Sequence, residues 1–250
     1  MKLSPRLQKI NSMVQPHYDH IWDCCCDHGL LGAALLQRLQ NGTVHFVDVV
    51  PELMQDVTTK LERFFPVIEN VKRWQVHCID VALLPLADKS QSQLVIIAGV
   101  GGELLIELVQ AIVARFPQHS LEFILCPVHH IFEVRTALST LKLGLIDEHL
   151  VEDNQRFYEV LHVSTGSAQV ISPVGSQMWN LSQTSDQRYL QKTLAHYQRL
   201  RAGLLTNPLV EAPQIKAVES IISAYRTLET SDKVNSMKHA PEHISETKCR

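Results

Sequence analysis

Apolar and polar positions follow two rhythms along this chain. Residues 3–14 place apolar side chains at 3, 7, 10 and 13–14, which is helical spacing. Ser4 followed by Pro5 marks a helix start, with a capping hydroxyl and then proline at the first helical position. From about residue 20, short apolar runs at 21–26, 43–47, 73–78, 94–98 and 122–126 alternate with helical stretches at 30–39, 51–65, 102–116 and 131–141. Runs such as LVIIA and FILC are apolar throughout, as strands covered on both faces are. Strand–helix alternation of this kind predicts an α/β fold, a parallel sheet between two helical layers. Two last strands, 144–152 and 156–163, flank the polar turn Glu152-Asp153-Asn154-Gln155, making seven in a mostly parallel sheet.

The rhythm then changes. Residues 164–178 are rich in Ser, Gly, Pro and Val and read as a linker. Helical stripes return at 186–205 (Leu190, Leu194, Tyr197, Leu200, Leu204) and 212–228 (Ile215, Val218, Ile221, Ile222, Tyr225). The break at Thr206-Asn207-Pro208 makes them a C-terminal helical hairpin. Residues 230–250 are polar and aperiodic, and are expected to be a mobile tail. The expected organisation is a Rossmann-like domain with its N-terminal helix at 1–165, a linker at 166–180, a coiled-coil module at 181–229, and the tail.

Composition narrows the class. The 250 residues are 45% hydrophobic and 20% charged, enough for one large core with a small appendage. No apolar run reaches the roughly 18 residues of a membrane span. Residues 1–10 do not read as a signal peptide. We therefore expect no membrane association and a cytoplasmic monomer. The six cysteines, three consecutive at 24–26, include no CxxC pair and fit a reducing compartment. Charge is uneven. Residues 1–180 carry 13 Lys+Arg against 19 Asp+Glu, and residues 181–250 carry 10 against 7. A basic end on an acidic body points towards a polyanionic partner.

In such a sheet the ligand lies beyond the carboxyl ends of the strands. The first strand runs into Asp23-Cys24-Cys25-Cys26-Asp27-His28-Gly29, which lacks the GxGxxG of a dinucleotide phosphate site. S-adenosyl-L-methionine has no phosphates, and acidic side chains at Asp23 and Asp27 suit its ammonium and sulfonium groups. Asp27 capping the next helix is the plainer alternative. Asp48, at the second strand end beside Val49, is placed to accept ribose hydroxyls. Asp80 is placed to meet an adenine amino group, with Val81 against the ring. Ala98-Gly99-Val100-Gly101-Gly102 follows an apolar strand and permits close backbone approach. His129 and His130 are adjacent with no third ligand set by spacing, so no metal is expected.

Together these segments resemble the bacterial tRNA adenine-22 N1-methyltransferases of the TrmK type. Leu3-Ser4-Pro5-Arg6-Leu7 is similar to their LSxRL start. Asp23, Asp27, His28, Leu30 and Leu31 match places in DIGSDHAYLP, and 97–102 matches IAGMGG. Glu152-Asp153 and Tyr158-Glu159 match a late ED…YE pattern. The likeness covers residues 3–163, and the helical hairpin resembles the family's coiled-coil module. Cys25 and Cys26 stand where the family has glycine and serine, and Cys126-Pro127-Val128 where it has QPN.

The resemblance implies a class I methyltransferase fold, S-adenosyl-L-methionine as cofactor and tRNA as substrate. It implies a cofactor site of Asp23, Cys25, Asp27, His28, Gly29, Asp48, Val49, Asp80, Val81, Ala98 and Gly99. Asp27, His28, Gly99 and Gly101 are the expected catalytic residues, with the target base turned out into a pocket beside Gly99–Gly102 and Pro127. Arg188, Lys192, Arg199 and Arg201 are expected to hold the RNA backbone. Methylation of another substrate, and RNA binding without catalysis, are the alternatives.

Overall fold

The computed structural model describes residues 2–67, 71–207 and 209–238. Two compact units emerge, Met1–Trp179 and Asn180–Arg250.

The first unit opens with helix α1 (Pro5–Met13). Ser4 caps it through its hydroxyl, which accepts the Leu7 amide at 3.4 Å, and Ile10 and Met13 are buried. Then come β1 (His20–Cys24), α2 (Leu30–Arg38), β2 (Thr43–Asp48), α3 (Pro51–Phe64), β3 (Trp74–Cys78), β4 (Gln93–Ala98), α4 (Gly102–Arg115), β5 (Leu121–Cys126), α5 (Ile131–Thr140), β6 (Gly144–Asp153) and β7 (Arg156–Ser164). The sheet order is β3-β2-β1-β4-β5-β7-β6. β1 to β5 pair in parallel, and β7 runs antiparallel between β5 and β6. This is the expected seven-stranded, mostly parallel α/β sheet.

Period-2 alternation sends neighbouring residues to opposite layers. Ile21, Phe46, Leu94, Ile96 and Ile124 belong to one buried cluster, with α1, α2 and α3. Trp22, Val95, Ile97, Phe123 and Leu125 belong to the other, with α4 and α5. From β3 the chain crosses to β4, on the far side of β1. The strand order therefore reverses between β1 and β4, and their carboxyl ends flank the crevice where such sheets hold ligands.

Three expectations change. The first strand stops at Cys24 rather than residue 26, because Cys25 and Asp27 turn into the left-handed region, at φ 55° and 52°. A strand cannot continue through that geometry. The polar turn after β6 is only Asn154-Gln155, both at positive φ, a tight two-residue hairpin connection. The stretch 166–180, read as a linker from its composition, is packed over 171–178. Ile171, Val174 and Met178 are buried. Arg135 donates to the Ser172 carbonyl at 3.0 Å, and Glu148 accepts the amides of Ser176, Gln177 and Met178. Arg135 itself is fully buried between Glu148, at 2.7 Å, and Glu159, at 2.6 Å.

The second unit is a helix pair, α6 (Thr184–Thr206) and α7 (Ala212–Lys238). Leu190, Leu194 and Tyr197 of α6 and Val218, Ile221, Ile222 and Tyr225 of α7 are buried, and the Tyr197 and Tyr225 rings stack at 6.0 Å. Residues 230–238, expected in the tail, continue α7 despite lacking an apolar stripe, because extending a formed helix is cheap once nucleation is done. Residues 239–250, the rest of that tail, lie outside the described residues.

Candidate active site

The first loop is held open by backbone geometry and one carboxylate. Asp48 Oδ2 accepts the Asp27 amide at 3.1 Å, while Oδ1 accepts the amides of Val49 and Val50 at 2.8 and 3.2 Å. A single side chain thus ties the loop after β1 to the loop after β2. Asp27 does not cap α2. Gly29, at φ 67°, occupies the cap position with no side-chain hydrogen bond. The Asp27 carboxylate is left in solvent, 3.7 Å from His28 Nε2, with both side chains more than half exposed.

Asp23 sits beneath the loop, 4% exposed, and accepts the Gly32 amide at 2.8 Å. Burial raises its carboxyl to about 7, helped by the Asp48 charge and opposed by that amide. Cys25 lies among the acids. Burial first, then Asp48, Asp23 and Asp80, push its thiol up to about 11. The charges of Asp48, Asp23 and Asp80 thus all reach Cys25. Asp80 caps a 3-10 turn (Val81–Leu83) by accepting the Ala82 amide at 2.9 Å. Val81 is buried in the core, whereas Val49, beside Asp48, is 62% exposed.

The glycine loop after β4 divides by function. A Cβ at Gly101 would stand 2.7 Å from the His129 ring, and one at Gly102 would stand 2.6 Å from the His129 carbonyl. These two glycines let the loop after β5 close onto the start of α4, a packing reason. Gly99 differs. Its φ is +86°, and among the described residues, its chain neighbours aside, the one atom within 4 Å of a Cβ placed there is Arg6 Nη1, at 4.0 Å. His130 Nδ1 pairs with Glu103 at 3.1 Å, and among the described residues no group of three or more His, Cys, Asp or Glu side chains converges as metal ligands do.

Residues 3–161 match the protein family described as a methyltransferase domain. The chain belongs to that family. No curated protein sequence matches it. Among solved structures, the methyltransferase is similar to the Bacillus subtilis m1A22 tRNA methyltransferase TrmK (17% identity, 90% of this chain and 98% of that one, TM-score 0.70). It is similar to Mycoplasma capricolum TrmK in complex with S-adenosyl-homocysteine (15%, 91% and 98%, TM-score 0.72). A Streptococcus pneumoniae protein in complex with S-adenosyl-L-methionine is similar at 20% identity, over 90% and 99% of the chains, with TM-score 0.62. At these identities the likeness is one of fold.

The methyltransferase also brings to its rim two residues that the strand-end reading missed. Arg6, from α1, lies with its guanidinium 4.8 Å over the Tyr158 ring of β7. Both fall inside the family-like motifs, yet no periodicity places the first helix against the last strand. In the helical unit, Arg188, Lys192 and Arg199 are exposed on one side of α6, within about 40° of arc at about 100° per residue. Arg201 points elsewhere and is paired with Glu219 of α7 at 2.6 Å.

Proposed function

We propose that this methyltransferase takes its methyl group from S-adenosyl-L-methionine and delivers it to N1 of an adenine in tRNA, as a cytoplasmic monomer. The observation that carries the reading is the open position at Gly99. Cys24 of β1 lies in register with Ile97 of β4, so the acid-bearing loop and Gly99 emerge side by side. The substrate and cofactor of the TrmK relatives support it. Among the described residues no helix is long and apolar enough to cross a membrane, and the five cysteines there are free, which fits a reducing compartment.

The residues present fit the cofactor. Asp27 carries the free carboxylate for its cationic end, and Asp23 supports that loop from below through Gly32. Asp48 and Val49 are placed for the ribose, Asp80 for the adenine amino group. Cys25, His28, Gly29, Ala98 and Gly99 complete the wall, and Val81 holds Asp80's turn in the core. When bound, the cofactor supplies a sulfonium methyl carbon open to in-line displacement. Adenine N1 already carries a lone pair, so the chain's task is positioning. Asp27 or His28 steadies the exocyclic amino group or relays a proton. Gly99 makes room for the base, and Gly101 fixes the loop. Arg188, Lys192, Arg199 and Arg201 serve the RNA backbone, with Arg201 contributing through its hold on α7.

A second reading has one observation in its favour. The Cys25 side chain occupies the first loop, as suits an RNA-binding protein that kept the fold without catalysis. Incubating the chain with radiolabelled cofactor and unmodified tRNA, then digesting to nucleosides, separates them. Label in 1-methyladenosine is expected. Label in protein or in another nucleoside, or none at all, would overturn the proposal.

A further inference from the structure

Among the described residues, Arg6 Nη1 is the atom that a Cβ at Gly99 would approach, at 4.0 Å. Two contacts and one electrostatic effect mark the place of Arg6. Its backbone amide, in the first turn of α1, donates to Asp153 Oδ2 at 3.4 Å. Its guanidinium rests on Tyr158 at 4.8 Å. Its charge reaches Cys126 at the end of β5, whose thiol burial pushes up to about 12 and Arg6 draws back. Segments from the start of the chain (Arg6), the middle (Gly99, Cys126) and the end of the sheet (Asp153, Tyr158) therefore meet at one point on the rim.

Among the described residues no carboxylate forms an ion pair with the Arg6 guanidinium: Glu159 is held by Arg135, and Asp153 meets the Arg6 backbone amide. Asp153 spends Oδ2 on the amide, and its Oδ1 is buried with no hydrogen-bond partner, so it anchors the helix start rather than neutralising the cation. The aromatic ring occupies one face of the guanidinium and leaves its in-plane N–H fork available. The positive end of α1 adds to the same field. An unpaired fork of this kind, on a body rich in Asp and Glu, suits an anion with two oxygens presented together.

We propose that Arg6, stacked on Tyr158, grips the phosphate of the nucleotide whose base enters beside Gly99. This rests on the tRNA reading above. It gives that reading a specific contact, which fixes the backbone while the base turns in.

The test uses the full chain, S-adenosyl-L-methionine and unmodified tRNA. Arg6→Gln is expected to lower kcat/KM for tRNA about 10- to 100-fold, the range for one charge-assisted hydrogen-bonded contact. Cofactor affinity and thermal midpoint should stay unchanged. The slope of log Kd for tRNA against log salt should fall by about one. Arg6→Lys keeps the charge without the fork and should recover part of the loss with the wild-type slope. Three results would overturn the proposal: Arg6→Gln with wild-type kcat/KM and slope, a loss matched by a lowered midpoint or cofactor affinity in both variants, or Arg6→Lys no better than Arg6→Gln. If the wild-type chain binds the cofactor but neither binds nor methylates tRNA, the tRNA reading itself has failed, and this contact with it.

Discussion

Over β1, β2 and β3, the exposed or half-buried acids on the rim come from strand ends or the loops just after them: Asp27, Asp48, Asp80. Over β4, β5 and β7 the groups come from far apart, Arg6 from the first helix and Tyr158 from the last strand, meeting at Gly99. The first half is acidic and made by local loops. The second carries a cation with no ion pair among the described residues and is made by the tertiary fold. A cationic cofactor and an anionic substrate would each find a rim of opposite charge.

The largest effect should come from breaking the buried cluster that holds the second half together. Arg135 is buried between Glu148 and Glu159 and also holds the strap at Ser172. Arg135→Met leaves two buried carboxylates without their cation, and should destabilise the chain by about 3–5 kcal/mol. Urea unfolding reads this, and a loss below about 1 kcal/mol would mean the triad is not what fixes the strap.

Next comes the glycine loop, which separates packing from function. Gly101→Ala sets a methyl 2.7 Å from His129 and should lower the thermal midpoint. Gly99→Ala enters open space at positive φ, at a cost of about 1–2 kcal/mol in stability, yet it should reduce methyl transfer by about 30-fold or more. Equal activity losses per degree of destabilisation in the two variants would erase the distinction.

The contrast also explains what could be read from the chain. Apolar runs and the glycines at 99, 101 and 102 announce a parallel sheet and a tight loop at its edge, because strand period and turn chemistry are local. The strap at 171–178 looked like a linker, because Ser, Gly and Pro describe backbone freedom and not the distant Glu148 that binds its amides. The left-handed turn at Cys25 gave no signal either, since cysteine rarely takes a glycine conformation. Arg6 lay inside a recognisable motif, but its role depends on α1 crossing to β6 and β7, which no spacing encodes.

On the acidic half, pH gives a finer probe. The Asp23 carboxyl is raised in the folded chain, from 3.8 to about 7. The folded state keeps a proton that the unfolded state releases, so this group's contribution is full below about pH 4 and is lost as pH rises to about 7. Asp23→Asn removes the titration. Its stability relative to wild type should rise between those values and stay level above them, as followed by urea midpoints. A difference constant with pH would remove the burial account of Asp23.

The smallest effect tests the crowding of the first loop. Cys25→Gly relieves a left-handed side chain worth about 1 kcal/mol and should tighten cofactor binding several-fold. Weaker binding would make the thiol a contact rather than an obstruction.

Calorimetric titration of the wild-type chain with S-adenosyl-L-methionine, with NAD as control, tests the central claim directly. Saturable binding of S-adenosyl-L-methionine alone is the predicted result, and it makes the acid-lined half of the rim a cofactor site. No binding would contradict the account and leave the Cys25 loop closed to the cofactor, and binding of NAD would mean the rim serves a different chemistry.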